Sequence, residues 1–268
     1  MNIHFVETEN LKECISIYRA EDRSQLPLFH GTRMYALQAS EEERNRFYRA
    51  CDRVISFAKQ LLKNRPFDDD TWEEYLIQKN PMFLTTVVCQ YETPAYSYGD
   101  FYVTTDYTNA LVYAGNCGGE LGQWAQAQCI GFRDFQIEPD PETAEAASIV
   151  MEEYEKYEKS EPVVLVFTDV RFADLKTERG APFLIYDKDG KPDEEYNAFS
   201  IEMLYQTQVT DHLTSAGTYR LMRHNTYTAQ LVRQKDFKKG LSVFTEIRDV
   251  DKYLKGYDMK RLRDLVLK

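Results

Sequence analysis

An α+β fold, with a mixed or antiparallel sheet and helices set apart from it, is what this 268-residue chain predicts. Three observations carry that expectation. Residues 41–62 repeat apolar side chains at helical spacing, and the strongest β-branched runs come late, from residue 163 onward. Early helices followed by late strands are the order of an α+β chain. Third, no GxGxxG occurs, and no glycine loop ending in Lys and Ser or Thr, so a doubly wound nucleotide cradle is not indicated.

Composition bounds the rest. The chain is 43% hydrophobic and 13% aromatic, too apolar for global disorder and long enough to bury a full core. A single domain over 1–268 is expected, with a helical insertion at about 40–80 and a basic C-terminal segment at about 219–268. That segment holds 13 Lys or Arg against 6 Asp or Glu, a net of +7 in a chain of −11, which leaves −18 on residues 1–218. The overall charge opposes non-specific attraction to phosphate polymers and anionic lipid. No apolar run approaches the ~18–20 residues of a bilayer crossing. The opening MNIHFVETENLKECISIYRAED lacks a basic start followed by an apolar stretch. A soluble, cytoplasmic chain with no membrane partner is therefore expected. Cys14, Cys51, Cys89, Cys117 and Cys129 are odd in number and widely spaced, which reads as reduced, buried thiols. With four scattered His and no HExxH, no metal is expected.

The elements follow in order. Residues 28–35, LFHGTRMY, read as a short strand entered from Pro27. Ser40 followed by Glu41, Glu42 and Glu43 opens a helix whose inner face is Phe47, Cys51, Val54, Ile55, Ala58, Leu61 and Leu62. A second, shorter helix runs from Asp70 or Thr71 to Ile77. FLTTVVC at 83–89 reads as a strand and the Tyr-rich 90–99 as a loop. DFYVTT at 100–105 is another strand, and Asp106 caps a helix carrying Ala110, Leu111, Tyr113 and Ala114. CGGE at 117–120 breaks that helix, and a further one forms around Leu121, Trp124 and Ala125. Pro141 starts a Glu-rich surface helix to 159, with Ile149, Val150 and Tyr154 inward. VVLVFTDV at 163–170, FLIYD at 183–187 and FSIEMLYQTQV at 199–209 read as strands, with a DKDG turn after the second.

Three pieces combine into a candidate site: His30-Gly31-Thr32 on the first strand, the strand-to-helix unit from Gly99 to Ala114, and Glu202. Beside His30, Gly31 has no Cβ to keep a planar ligand from the backbone, so its N–H and C=O can clamp an amide. Tyr102 on the strand and Tyr113 on the helix stand eleven residues apart, and two phenol rings converging on one slot would stack a flat heteroaromatic ring. A late carboxylate in such a slot would stabilise the positive charge that builds on a sugar as a glycosidic bond to a cationic leaving group breaks.

On these residues the chain resembles the ADP-ribosyltransferase superfamily, in the diphtheria-toxin-like and poly(ADP-ribose) polymerase-like branch with a His-Tyr-Glu triad. HGT at 30–32, the GDFYVTTD run at 99–106 with the helix reaching Tyr113, and the Glu202 strand carry the resemblance, over about a fifth of the chain. It implies a split mixed or antiparallel sheet with helical insertions, and NAD as co-substrate. It also implies roles. His30 would bond the adenine-side ribose, and Gly31 and Thr32 would hold the nicotinamide carboxamide. Tyr102 and Tyr113 would sandwich the nicotinamide ring, and Glu202 would bond the nicotinamide-side ribose. Ala110 stands where a small hydroxyl is usual, a contact that Thr104, Thr105 or Thr108 would have to replace. Gln206 or Gln208 takes the place of Glu202 if the strand register shifts.

The activity implied is mono-ADP-ribosyl transfer to a macromolecule with release of nicotinamide, in a toxin or effector acting in the cytoplasm or a host cytosol. The alternatives are an NAD glycohydrolase and an inactive binding module of the same fold. A protein acceptor is expected ahead of nucleic acid, which the basic segment, with Tyr219, Tyr227, Phe237, Phe244, Tyr253 and Tyr257 among its cations, would attract.

Overall fold

The computed structural model describes residues 2–7, 27–63, 70, 74, 79–80, 100–167, 170–178, 180–200, 217–222 and 226–244. They divide between two compact units. The first comprises Met1–Thr32, Tyr98–Gly115 and Glu161–Lys268, and the second Arg33–Ser97 and Asn116–Ser160.

The first unit is built on a seven-stranded mixed sheet. Its strands are β1 (Asn2–Glu7), β2 (Leu28–Arg33), β3 (Phe101–Thr104), β4 (Pro162–Phe167), β5 (Leu175–Thr177), β6 (Thr218–Leu221) and β7 (Thr226–Arg233), in the spatial order β1-β7-β4-β2-β3-β6-β5. β1 runs parallel to β7, while the β2–β3, β3–β6, β4–β7 and β5–β6 pairs are antiparallel. β4 is buried at all six positions, as an unbroken PVVLVF run covered on both faces must be. β7 opens with the alternation of a half-covered strand: Tyr227 and Ala229 are buried, Thr226 and Thr228 exposed. Helices α3 (Tyr107–Gly115) and α6 (Phe237–Phe244) close one core with this sheet through Phe29, Tyr107, Leu111, Val164, Val232 and Phe237.

The second unit is helical: α1 (Met34–Gln38), α2 (Glu41–Lys63), α4 (Gly119–Asp134) and α5 (Pro141–Lys159). Ser40 and Glu43 close a reciprocal capping box at the start of α2, Ser40 N donating to Glu43 Oε2 at 2.7 Å and Glu43 N to Ser40 Oγ at 3.2 Å. The inner face of α2 buries Phe47, Cys51, Val54, Ile55 and Ala58, as its periodicity predicts. Asp140 caps α5 ahead of Pro141, accepting from Thr143 N. Gly118 and Gly119, both at positive φ, make the break between α3 and α4 that CGGE predicts.

Six expectations need correction or lie out of reach. The first strand stops at Arg33, where Met34 begins α1. FLIYD forms no strand: residues 182–193 make isolated bridges, Lys176 with Pro182 and Tyr186 with Pro192, around the DKDG turn. There Asp187 Oδ1 accepts from Asp189 N and Lys191 N, and this local capping competes with a ladder. Residues 199 and 200 lie in a helical run at 194–200 instead of starting a strand. The rest of that predicted strand, the strand at 83–89, the loop at 90–99 and most of the helix at 70–77 fall outside the described residues. No helix among the described residues is long and apolar enough to cross a membrane.

Candidate functional site

β2 lies at the middle of the sheet, and β3 joins it antiparallel at Phe29 and Thr104. One residue further along, the link between the strands is a side chain: His30 Nδ1 donates to Tyr102 O at 2.7 Å. The imidazole also lies against Phe101, with ring centroids 3.9 Å apart. Desolvation in this setting lowers the His30 pKa to about 4, against the smaller opposing effect of the Tyr102 carbonyl. The ring is therefore neutral near pH 7. A carbonyl only accepts, so the single N–H sits on Nδ1 and Nε2 carries a lone pair. Nε2 is thus built to accept a hydrogen bond from a hydroxyl or amide of a ligand. Thr32, half-buried, follows His30 two residues on and shares its strand face.

Gly31 has a different reason for being glycine than an open approach to its backbone. A Cβ there would sit 2.6 Å from Ala114 N and closer still to Ala110 O, so the missing side chain is what lets α3 lie directly on β2. The space above Gly31 is filled by helix backbone. The Gly31 N–H and C=O lie in the plane of the sheet, where β2 has β4 and β3 as its neighbours. Tyr113 precedes Ala114 on α3 and is 47% exposed. Asp106 starts that helix as predicted, its Oδ1 accepting from Thr108 N at 2.9 Å and its carbonyl from Ala110 N at 3.1 Å. Ala110, Thr104, Thr105 and Thr108 are all buried.

Tyr102 pairs across the β3–β6 ladder with Arg220. The guanidinium carbon of Arg220 lies 5.2 Å from the Tyr102 ring centroid, and Nη1 donates to Asp100 Oδ2 at 3.0 Å. Sequence reading misses this pair, because Arg220 stands among the cations of a basic segment and nothing local marks it as buried. Only the register of β6 on β3 reveals it. Of the aromatic residues singled out in that segment, Tyr219, Tyr227 and Phe237 are core, and one of its cations, Arg233, is held by Glu7 and Glu161.

His30, Gly31, Thr32 and Tyr102, with α3 carrying Tyr113, therefore gather at the β2–β3 junction of the first unit. Glu202, Gln206 and Gln208 lie outside the described residues. No group of three or more metal-ligating side chains occurs among the described residues. Comparison with models of known families, with curated proteins and with solved structures finds no match to this chain.

Proposed function

We propose that the chain is an NAD-dependent mono-ADP-ribosyltransferase, a toxin or effector that acts on a macromolecule. The observation that carries this reading is the β2–β3 junction, where a neutral imidazole bridges two strands beside a glycine on which α3 lies. His30 Nε2 accepts from a ribose hydroxyl. The Gly31 amide edge takes the carboxamide of nicotinamide, Thr32 supports it, and Tyr102 and Tyr113 flank the ring. The C1′–N bond breaks, nicotinamide leaves neutral with the bonding pair, and an acceptor nucleophile adds to C1′ and loses its proton. Glu202 is the proposed carboxylate opposite the cationic sugar carbon, with a share of the barrier of about 3 kcal/mol.

The test uses purified protein, NAD labelled in the adenylate and a cell lysate, split between protease and nuclease treatment. Label that protease removes supports transfer to protein, and label that nuclease removes moves the acceptor to nucleic acid. Nicotinamide release with no labelled macromolecule points to NAD glycohydrolysis. Neither release nor label would sink the enzymatic reading in favour of a binding module. Given transfer, Tyr102→Ala and Glu202→Gln should each lower nicotinamide release about a hundredfold or more.

A further inference from the structure

Arg220 is a cation that the fold buries, with 8% of the residue exposed, and burial of a charge is tolerated only with partners. Its partners define a seat. Asp100, two residues before Tyr102 at the start of β3, receives Nη1 at 3.0 Å. The Tyr102 ring faces the guanidinium at 5.2 Å, within cation–π range. Behind the guanidinium is Gly180, where a Cβ would stand 3.2 Å from Nη1, at a φ of +90° that side chains rarely adopt. A glycine, a carboxylate and an aromatic ring thus fix one planar group, and that group is the direct cross-strand neighbour of Tyr102.

We infer that Arg220 is a positioning residue, which with Asp100 holds the ring of Tyr102 in the orientation that stacks a flat heteroaromatic ligand. The inference rests on the NAD reading for the identity of that ligand. Its mechanical part does not. Because the guanidinium occupies one face of the ring, the ligand stacks on the other. Asp100 offsets the charge that would otherwise repel a pyridinium stacked on the same ring. Lysine cannot substitute: its ammonium is a compact point charge without the fork that reaches Asp100 while the guanidinium carbon stays over the ring.

Two readouts test this on the full chain. The first places 3-fluorotyrosine at position 102 and follows its fluorine resonance. Arg220→Met should shift or broaden that line, and Asp100→Asn, which keeps the shape, should do so in the same direction. A line that neither variant moves overturns the inference. The second is a double-mutant cycle on NAD affinity. Arg220→Met should weaken binding by about threefold to thirtyfold with Tyr102 present and by less than about twofold in a Tyr102→Leu background. Equal weakening in both backgrounds means that Arg220 acts without Tyr102, and overturns the inference. If the wild-type chain binds no NAD while the fluorine line still moves, the proposed function fails and the hold of Arg220 on the ring is supported.

Discussion

The two units solve close packing in opposite ways. In the sheet-bearing unit the tightest approaches depend on side chains that are missing: α3 lies on β2 because Gly31 has no Cβ, and α6 lies on the Tyr107 ring because Gly240 has none. In the helical unit they depend on side chains that are present, with Phe47 against Tyr157 at 5.6 Å and Phe57 edge-on to Phe132 at 5.3 Å. Glycine occurs there too, but a Cβ on Gly122 would meet the tip of the Phe47 ring at 2.9 Å. A ring tip can move by a few tenths of an ångström, whereas two peptide groups locked into a helix cannot. The same substitution should therefore be ruinous in one unit and mild in the other.

Gly31→Ala is the largest effect expected. Its methyl group would collide with Ala110 O and Ala114 N, and relief requires α3 to leave the sheet, a cost of about 3 kcal/mol or more. Gly122→Ala displaces only Phe47 and gains about 1 kcal/mol of helix propensity, so the two terms roughly cancel. Urea unfolding of both variants decides the matter. Equal losses would break the contrast between the units.

His30 extends the contrast to pH. Its pKa falls from 6.5 to about 4 on folding, chiefly by desolvation. The unfolded chain therefore takes up a proton that the folded one refuses, and stability is lost as pH drops through the window from about 6.5 to about 4. The loss is on the order of 3 kcal/mol when the window has been crossed. His30→Gln, which keeps a donor for Tyr102 O without a titrating ring, should flatten the unfolding free energy over that window. An unchanged slope would mean that the acid sensitivity arises elsewhere.

What could be read in advance follows the same division. The helical unit was largely legible, since Ser40, Pro141, the Gly118-Gly119 break and the inner face of α2 are local signals with fixed spacing. In the sheet unit β4, β3 and the Asp106 cap were legible for the same reason, while β1 was not, because MNIHFVE carries no clean alternation. FLIYD has strand composition, yet Asp187 and Asn197 capture its backbone: Ile185 N donates to Asn197 Oδ1 at 2.7 Å, and Ile185 O accepts from Asn197 Nδ2. Long-range capture by a side chain leaves no trace in a seven-residue window. At the candidate site, His30, Gly31 and Tyr102 were legible as a combination of motifs, but the reason for Gly31 and the partnership of Tyr102 with Arg220 were not. Both depend on which segment lies next to them in space.

A smaller loss than that of Gly31→Ala is expected in the helical unit, where the Glu153 carboxylate is one of the links between α1 and α5. Glu153 is buried although its neighbours in the Glu-rich helix are mostly solvated. It receives the Tyr35 hydroxyl at Oε2 and Lys156 Nζ at Oε1, each at 2.6 Å, and Tyr35 N donates to Ser160 Oγ beyond the end of α5. Burial, and then Glu153, raise the Tyr35 pKa, so the phenol stays protonated and donating through the neutral range. Tyr35→Phe keeps the ring, which packs edge-on against Tyr157 at 5.1 Å, and removes one hydrogen bond to a charged acceptor. Lys156 and whatever water reaches Glu153 still serve the carboxylate, so the expected loss is about 1.5 kcal/mol, half that of Gly31→Ala or less. A thermal midpoint for Tyr35→Phe as low as that of Gly31→Ala would show that a side-chain link can matter as much as a backbone contact, and would remove the distinction between the units.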